Sequence, residues 1–569
     1  MLKYLRKLLR KPYLMIGYLM NKILNIIIFT LVLYCASPFE KSYAQQDIDY
    51  TKLESIGLLQ TGDEQSLGAD IYRHANRSEL VYLLKNINRN PLYALQNTIK
   101  NLLITSADTS TIKNDIEIEN GSDLLTLRIT ALMRMGYNKE AFELYNKASN
   151  YVLNEPLIRS GIFSMLLNKQ KARACLEVKT SFEDYKDIEF WKEMNAYCMI
   201  SLSKSPTPQY AQTIEGSKYS ILKEIIKNED YNFIYNPKAF SELDFIERAI
   251  LIADDKITVP EGDFEFYKNI PEQHIAQLAL QSSSSENTKA IISTLSVMYG
   301  YNSSKYLSNL YDDILKKYKD KKPKDNDWYK IAQVYKDTKS SWIPKKRKDK
   351  ISEAFNIAQK YDISVLIPLL PAIIKMDIDD DLSLKNARKI LPLLIRDNSN
   401  YELKDWIEDL LKLGTEDKDH NNTRLNILSA LSLIINIKDK KLENKLINSV
   451  NNHLSSSSYK LALKNIIENI DSNINNGDKV RYIDANGFDL LWNKRYTMPP
   501  YIILRALNRS SENQDISISL LLSAYIMDKI NGKQLYIGTL SDVIVALNNL
   551  GLKQLSHLIL AQAILKMEN

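Results

Sequence analysis

Glycine and proline are scarce in this chain. Each occurs 16 times among 569 residues, about 3%, against average usage of roughly 7% and 5%. β-Sandwiches, barrels, propellers and Rossmann-type enzymes all need many tight turns built from these residues. Their scarcity therefore argues against those folds.

Cysteine is rarer still, and long apolar runs are confined to the N-terminus. The chain has three cysteines, 25% charged residues and 45% hydrophobic residues. That balance is ordinary for a folded protein and excludes wholesale disorder. The length permits several domains or one long repeat array with a sizeable core.

The basic charge of the chain belongs to its first 44 residues. Residues 1–44 contain seven Lys or Arg and one acid, which accounts for the whole formal net charge of +6. Residues 45–569 balance 68 basic against 68 acidic residues. Because long-range attraction to phosphates needs a positive excess, no nucleic-acid partner is expected.

Residues 1–44 have the pattern of a secretory signal peptide. Basic residues precede an apolar run from Ile23 to Ala36, and Ser42-Tyr43-Ala44 forms a small-x-small cleavage site. The run of 14 residues is shorter than the ~20 needed to span a bilayer. We therefore predict cleavage after Ala44 and a periplasmic protein.

Three alternatives to that cleavage remain open. The apolar stretch at 13–20 could lengthen the run into an uncleaved inner-membrane anchor. The protein is expected to contact the membrane only if this segment is not cleaved. A lipoprotein at Cys35 is disfavoured because Tyr34 stands where a small residue is required. The true start is Met1, Met15 or Met20, since 20–22 could itself begin a signal peptide.

Cys175 and Cys198 are the cysteines that remain after cleavage. An even pair in an exported protein predicts a disulfide. The first lies on a helix expected to end near Phe182, and the second lies on a helix expected to start near Asp187. Antiparallel neighbours would place the two thiols opposite one another. The alternative is two buried thiols packed as small apolar groups.

Helical periodicity runs through most of the chain. Leu80, Leu83, Leu84 and Ile87 follow the i, i+3, i+4, i+7 pattern of an amphipathic helix. No sustained two-residue alternation bounded by turn dipeptides is present, so strands should be few. An all-α fold is predicted.

The segment at 131–148 resembles the turn and second helix of a tetratricopeptide repeat. Gly136 can adopt the left-handed conformation that ends a helix. Ala141, Tyr145 and Ala148 then lie on one face of the next helix. Gly551 and Ala563 repeat the design at the C-terminus with the same spacing as Gly136 and Ala148. The resemblance implies a helix-hairpin superhelix, a tetratricopeptide-like α-solenoid.

A second resemblance consists of a few short segments spread over most of the chain. The segments 56–59 and 67–73, the cysteine pair and the helix pair around Gly551 are similar to those of an uncharacterised family of exported helical proteins from Gram-negative bacteria. That likeness implies export and one continuous helical architecture, and it brings no activity.

Three sections of the mature chain are predicted, at 45–225, 226–350 and 351–569. Lysine-rich stretches at 316–327 and 344–350 resemble long turns between helices. Contact with an anionic surface is the alternative for their lysine clusters.

No catalytic or metal-binding motif is recognisable. The five histidines are scattered, and none falls in a metal-ligand spacing. HExxH, CxxC, Gly-x-Ser-x-Gly, phosphate-cradling and GxGxxG motifs are all missing from the sequence. We therefore expect no cofactor, no metal and no enzyme activity.

The predicted function is an exported, non-catalytic scaffold or adaptor for other envelope proteins or peptides. A helix-hairpin superhelix offers a long concave surface for such contacts. A polysaccharide-active envelope enzyme and a membrane-tethered assembly factor are the alternatives. Aromatic residues more often pack in the core than contact a partner. The segment 67–73 could close one end of the solenoid rather than bind a partner. The candidate contact residues are Tyr72, Arg73, Tyr137, Trp191 and Tyr197.

Overall fold

A computed structural model describes the chain from residue 48 to residue 565, with gaps. The predicted signal peptide at 1–44, with its cleavage site, lies outside the described residues. The described residues from Asp49 onward belong to one compact unit. None of the helices in the described ranges combines the length and the hydropathy needed to cross a membrane. The gaps are at 91, 120, 203–207, 229, 280, 282–283, 321–322, 324, 341–343, 380, 398–402, 414–417, 436–439, 455–498 and 530–536.

The regular structure of the described residues is almost wholly α-helical, which confirms the all-α prediction. The helices are α1 (Tyr50–Glu54), α2 (Arg77–Asn86), α3 (Tyr93–Ile104), α4 (Leu124–Arg134), α5 (Asn138–Lys147), α6 (Glu155–Leu167), α7 (Lys171–Tyr185), α8 (Glu189–Leu202), α9 (Pro208–Gly216), α10 (Ser220–Lys227), α11 (Pro237–Glu242), α12 (Phe245–Ala253), α13 (Phe264–Lys268), α14 (Glu272–Leu278), α15 (Glu286–Met298), α16 (Ser304–Lys317), α17 (Asp327–Ser340), α18 (Pro344–Ala358), α19 (Leu370–Ile373), α20 (Asp381–Asp397), α21 (Lys404–Lys412), α22 (Lys418–Ile434), α23 (Lys440–Leu454), α24 (Tyr501–Glu512), α25 (Ile516–Lys529), α26 (Ile537–Asn549) and α27 (Lys553–Leu565).

Strands are confined, within the described ranges, to one small element. β1 (Phe233–Ile234) pairs in parallel with β2 (Ile257–Thr258). Two 3₁₀ helices, Thr109–Thr111 and Ile363–Leu369, complete the regular structure of these ranges. The few strands agree with the lack of two-residue alternation in the sequence.

One turn geometry recurs at six helix ends. At each, a residue with positive φ is followed by a residue whose N–H donates to the carbonyl five positions earlier, at 2.8–3.0 Å. This bond satisfies one of the carbonyls that a helix end leaves unpaired. Each turn reverses the chain into a neighbouring helix or strand. The positive-φ residues are Gly136, Lys169, Asp255, Gly300, Gln514 and Gly551.

Consecutive helices in the first third of the chain pack as hairpins. Each of α4, α5, α6 and α7 packs against the helix that follows it, and α4 also contacts α6. Contacts between a helix and its next two neighbours are typical of helix-hairpin arrays. The local architecture therefore follows the expected hairpin pattern.

The two ends of this unit contact each other. Helix α25 packs on α2 and α3, and α27 packs on α3 and α22. The Asn90 Nδ2 donates to the Ala524 carbonyl at 2.9 Å, and the Ser517 N–H donates to the Ile71 carbonyl at 3.1 Å. An open solenoid has contacts only between neighbouring repeats. The end-to-end contacts differ from that expected arrangement.

Both predicted section boundaries fall inside helices. The boundary at 225 lies within α10, and the boundary at 350 lies within α18. The stretch at 344–350, expected as a turn, is the beginning of α18. Lysine and arginine have high helix propensity, and Pro344 occupies the first helical position, where its missing N–H costs nothing. The charge run is therefore the first part of a helix rather than a turn.

A buried ionic group joins the first helices. Arg77 donates to both carboxylate oxygens of Glu54 at 2.8 Å. The fully buried Arg128 donates to the carbonyls of Leu103, Glu54 and Thr105 at 2.6–3.0 Å. Buried charges are tolerated when they are paired and hydrogen-bonded in this way.

Candidate functional site

A cleft of about 730 Å³ opens where the first helices meet α25. Cavities of roughly 300–1,000 Å³ hold small molecules or short segments of a partner. Its wall combines three arginines, several amides, two acids and two phenylalanines. The lining residues come from the segment after α2 and from α4, α6, α12, α14 and α25: Asn88, Arg89, Asn90, Thr130, Met133, Arg134, Ser160, Phe163, Phe245, Arg248, Glu272, Gln273, Gln277 and Asp528.

Arg89 is held by residues of the cleft wall and of the turn after α15. It forms an ion pair with Glu272, and its Nη2 donates to the Tyr299 carbonyl at 2.6 Å. Its guanidinium lies 4.7 Å from the Tyr301 ring centre. Burial opposes the charged form of Arg89, but Tyr301 and Glu272 raise its pKa above the ordinary value. Glu272 and the Tyr299 carbonyl therefore hold Arg89, while its buried Nη1 has no hydrogen-bond partner among the described residues.

Arg134 binds the C-terminal carbonyls of α2. Its Nη1 donates to the carbonyls of Leu84, Lys85 and Ile87 at 3.3, 2.7 and 2.9 Å. A cation at a helix C-terminus also interacts favourably with the helix dipole. Burial lowers the pKa of Arg134 from its ordinary value. The guanidinium therefore serves the framework of the cleft.

Arg248 differs from the other two arginines. Its Nε is buried and, among the described residues, has no hydrogen-bond partner. Its guanidinium lies 5.6 Å from the Phe245 ring centre. Burial lowers the pKa of Arg248, and Asp244 opposes that shift. Among the described residues no ion pair and no carbonyl holds Arg248, in contrast to Arg89 and Arg134.

Gln277 places an unused acceptor in the same wall. Its side chain is 3% exposed, and its Oε1 has no hydrogen-bond partner among the described residues. A buried acceptor without a partner costs about 1–3 kcal/mol. An N–H or O–H donor brought by a ligand would remove that cost.

An apolar side completes the cleft. The rings of Phe163 and Phe245 meet edge to face, with centres 5.1 Å apart. Met133 is buried beside them in the wall. Such a surface can accept an apolar group of a ligand next to the polar groups.

His274 lies on α14, between the cleft residues Gln273 and Gln277, and is neutral at pH 7. Burial and the positive charge of Arg248 lower its pKa to about 4. Its Nδ1 is 2.8 Å from the Tyr235 hydroxyl. Since His274 stays uncharged, the charge of the cleft wall comes from its three arginines and two acids.

The predicted cysteine pairing is confirmed. The sulfur atoms of Cys175 on α7 and Cys198 on α8 are 2.00 Å apart, and the Cα atoms are 5.4 Å apart. The two helices pack on each other, as the antiparallel placement required. The disulfide fixes α7 against α8 and lies outside the cleft lining.

The residues predicted to shape the repeat lie at the expected places, with one difference. Gly136 and Gly551 have φ of +89° and +76°. Ala141, Tyr145 and Ala148 are buried. Ala563 is only half-buried, and its neighbour Ala561 is the fully buried alanine of α27.

Four of the five candidate contact residues belong to the core. Tyr72, Tyr137, Trp191 and Tyr197 are 0–3% exposed. Tyr137, Trp191 and Tyr197 also form hydrogen bonds with Gln96, Glu155 and Asp254. Buried side chains cannot contact a partner, so core packing is correct for these four. Arg73 is exposed.

Comparison of the chain with protein-family models, curated proteins and solved structures finds no match.

The cleft residues were missed by sequence reasoning. Arg89, Arg248, Glu272 and Gln277 lie in no motif, and they come from three separate segments. One signal was present. Gly-Tyr-Asn occurs at 136–138 and again at 300–302, and both copies begin with a left-handed glycine. That repeated turn marks the site where Tyr137 and Tyr301 pack and Arg89 is held.

Proposed function

We propose that this chain is an exported, non-catalytic binding protein that holds a segment of another envelope protein or peptide. The cleft lined by Arg248 and Gln277 is the proposed contact site. It takes the place of the long concave surface that the sequence suggested. The observation that carries the proposal is a cleft of about 730 Å³ whose wall contains the buried Nε of Arg248 and the buried Oε1 of Gln277, neither with a hydrogen-bond partner among the described residues.

The chemistry of the wall supports binding rather than catalysis. Glu272 is paired with Arg89. Hydrolysis of a glycoside needs two carboxyl groups placed for acid–base or nucleophilic work, and an acid held in an ion pair does not suit that role. The described lining includes neither histidine nor cysteine.

Export is supported by the disulfide. The Cys175–Cys198 bond belongs to the kind of linkage that persists in oxidising compartments such as the periplasm. A tetratricopeptide-like arrangement is supported by the repeated hairpin turns after α4 and α26. Intact mass of the protein recovered from the periplasm tests cleavage after Ala44 and separates a free protein from a membrane-anchored one.

Site-specific photocrosslinking in the producing cells tests the binding proposal. A photoreactive amino acid is placed at Thr130 or Asn88 in the cleft and, as the control, at Leu176, which is 64% exposed on α7. We expect a discrete protein or peptide adduct from the cleft positions that the control position does not give. No adduct from the cleft, or the same adducts from all three positions, would contradict the proposal.

A further inference from the structure

We infer that the cleft recognises the C-terminal carboxylate of a peptide, with Arg248 binding the carboxylate and Gln277 accepting an N–H from the same peptide. This inference rests on the proposed function, because it names the group that the cleft binds.

The three arginines of the cleft differ in the protein groups that their guanidinium groups contact. Arg89 is paired with Glu272, and Arg134 donates to three carbonyls of the α2 terminus. The buried Nη1 of Arg89 has no hydrogen-bond partner among the described residues either, but Glu272 and the Tyr299 carbonyl hold that guanidinium. Arg248 has no partner for its buried Nε, and no ion pair holds it among the described residues. A guanidinium presents paired donors in the geometry that a carboxylate accepts. Arg248 is therefore the cation available to a ligand.

Gln277 adds a second requirement that a ligand of the cleft must meet. Its buried Oε1 is an acceptor without a partner, so the ligand must carry a donor. An isolated carboxylate or an inorganic anion without a proton has none. The last residue of a peptide carries a carboxylate and an amide N–H on the same Cα atom. These two groups are complementary to the Arg248 donor and the Gln277 acceptor, which line the same cleft.

The charge of the wall favours a single negative charge. Three arginines face two acids, Glu272 and Asp528, in the lining, which leaves an excess of one positive charge. A carboxylate balances that excess. A phosphate group carries about −1.5 to −2 at pH 7 and would leave negative charge uncompensated beside the two acids.

The phenylalanine pair supplies the remaining part of the site. Phe163 and Phe245 form an apolar wall beside Arg248. The side chain of a terminal residue can pack on such a wall while its carboxylate meets the guanidinium. We therefore expect an apolar residue at the C-terminus of the bound peptide.

Two matched peptide pools test the inference. Both consist of N-acetylated random hexapeptides, one with a free C-terminal acid and one with a C-terminal amide. Each is mixed with the mature protein, and the retained peptides are measured by mass spectrometry after filtration. We expect the acids to be retained about tenfold better than the amides, since a charge-assisted hydrogen bond to a buried group is lost in the amide.

Variants of cleft residues test whether the preference for the C-terminal acid arises in the cleft. Arg248→Met should abolish the preference for the acid, and Gln277→Leu should lower retention of both pools several-fold. Arg173→Met is the matched control, because Arg173 also lies over a phenylalanine ring, that of Phe142, but away from the cleft. Arg248→Lys keeps the charge in case Arg248→Met does not fold, and it should retain part of the preference.

Each outcome decides the inference. Equal retention of acids and amides, retention of neither pool, or an unchanged preference in Arg248→Met would overturn it. Displacement of the acids by millimolar inorganic phosphate would overturn it in favour of a phosphate site. If photocrosslinking at Thr130 still gives an adduct while the acid preference is missing, the proposed function stands and the inference fails.

Discussion

The side chain of Asn90 connects the beginning of the helical unit to its end. Its Nδ2 donates to the Ala524 carbonyl on α25 at 2.9 Å, and its Oδ1 accepts from the Leu92 N–H at 2.9 Å. Its own N–H donates to Gln96, which in turn donates to the Tyr137 hydroxyl. A buried hydrogen-bonded chain therefore runs from α25 to the turn after α4.

Asn90→Ala should loosen the contact between the two ends. It leaves the Leu92 N–H and the Ala524 carbonyl without this partner, and we expect a loss of about 2 kcal/mol in the free energy of unfolding. Amide hydrogen exchange in α25 should rise. Asn86→Ala is the control, because the Asn86 amide also bonds a backbone carbonyl but is exposed. Unchanged exchange in α25 would show that Asn90 does not hold the ends together.

Glycine substitutions separate backbone strain from steric overlap. Gly136 has φ of +89°, and an added Cβ would lie 2.4 Å from the Tyr301 ring. Gly551 has φ of +76°, but nothing lies within 4 Å of its added Cβ. Gly551→Ala should cost about 1–2 kcal/mol from the left-handed conformation alone. Gly136→Ala should cost about 3 kcal/mol or more, because the ring must also move.

Urea unfolding of the two variants measures that difference. Gly216→Ala serves as the reference, since Gly216 has neither a positive φ nor an atom within 4 Å of the added Cβ. It should change stability by less than about 1 kcal/mol. Equal costs for Gly136→Ala and Gly551→Ala would mean that Tyr301 is not packed on the turn.

Reduction of the Cys175–Cys198 disulfide should destabilise α7 and α8. The cysteines are 23 positions apart, and restricting a loop of that size in the unfolded chain is worth about 3 kcal/mol. Chemical unfolding with and without reductant measures the loss. The Cys175→Ala, Cys198→Ala double variant should match the reduced wild type and should not respond to reductant.

Stability should depend on pH through Asp515. Burial raises the pKa of Asp515 to about 6 from its ordinary value near 3.8. The protonated form is therefore favoured by folding, and its contribution is fully present below pH 4 and lost as the pH rises through 6. The shift corresponds to about 3 kcal/mol.

Asp515→Asn should remove that part of the pH dependence. The amide oxygen can still accept from the Ile518 N–H, as the carboxylate does at 3.1 Å. Unfolding free energies measured from pH 4 to pH 7 should fall less steeply in this variant. Asp108→Asn is the contrasting control, because hydrogen bonds from Ser110 lower the pKa of Asp108 and its contribution is lost as the pH falls. An identical slope in wild type and Asp515→Asn would contradict the prediction.

The sequence determined the helical character of the chain and two of its turns. Low glycine and proline content and the 3.6-residue period are local properties, so the all-α class could be predicted from them. Gly136 and Gly551 were recognised because glycine is the residue that enters the left-handed region without strain. Asp255 and Gln514 take the same conformation and were missed, because the tertiary structure imposes it on residues that do not signal it.

Only the tertiary structure decided how the ends meet and where the cleft lies. The bond from Asn90 to Ala524 joins positions 434 residues apart, and no local pattern encodes such a separation. Arg89, Arg134 and Arg248 look alike in the sequence, and they differ only in the partners that surrounding helices bring to them. Local propensity fixes each helix by contacts within a few residues, whereas the cleft depends on packing between helices that are far apart along the chain.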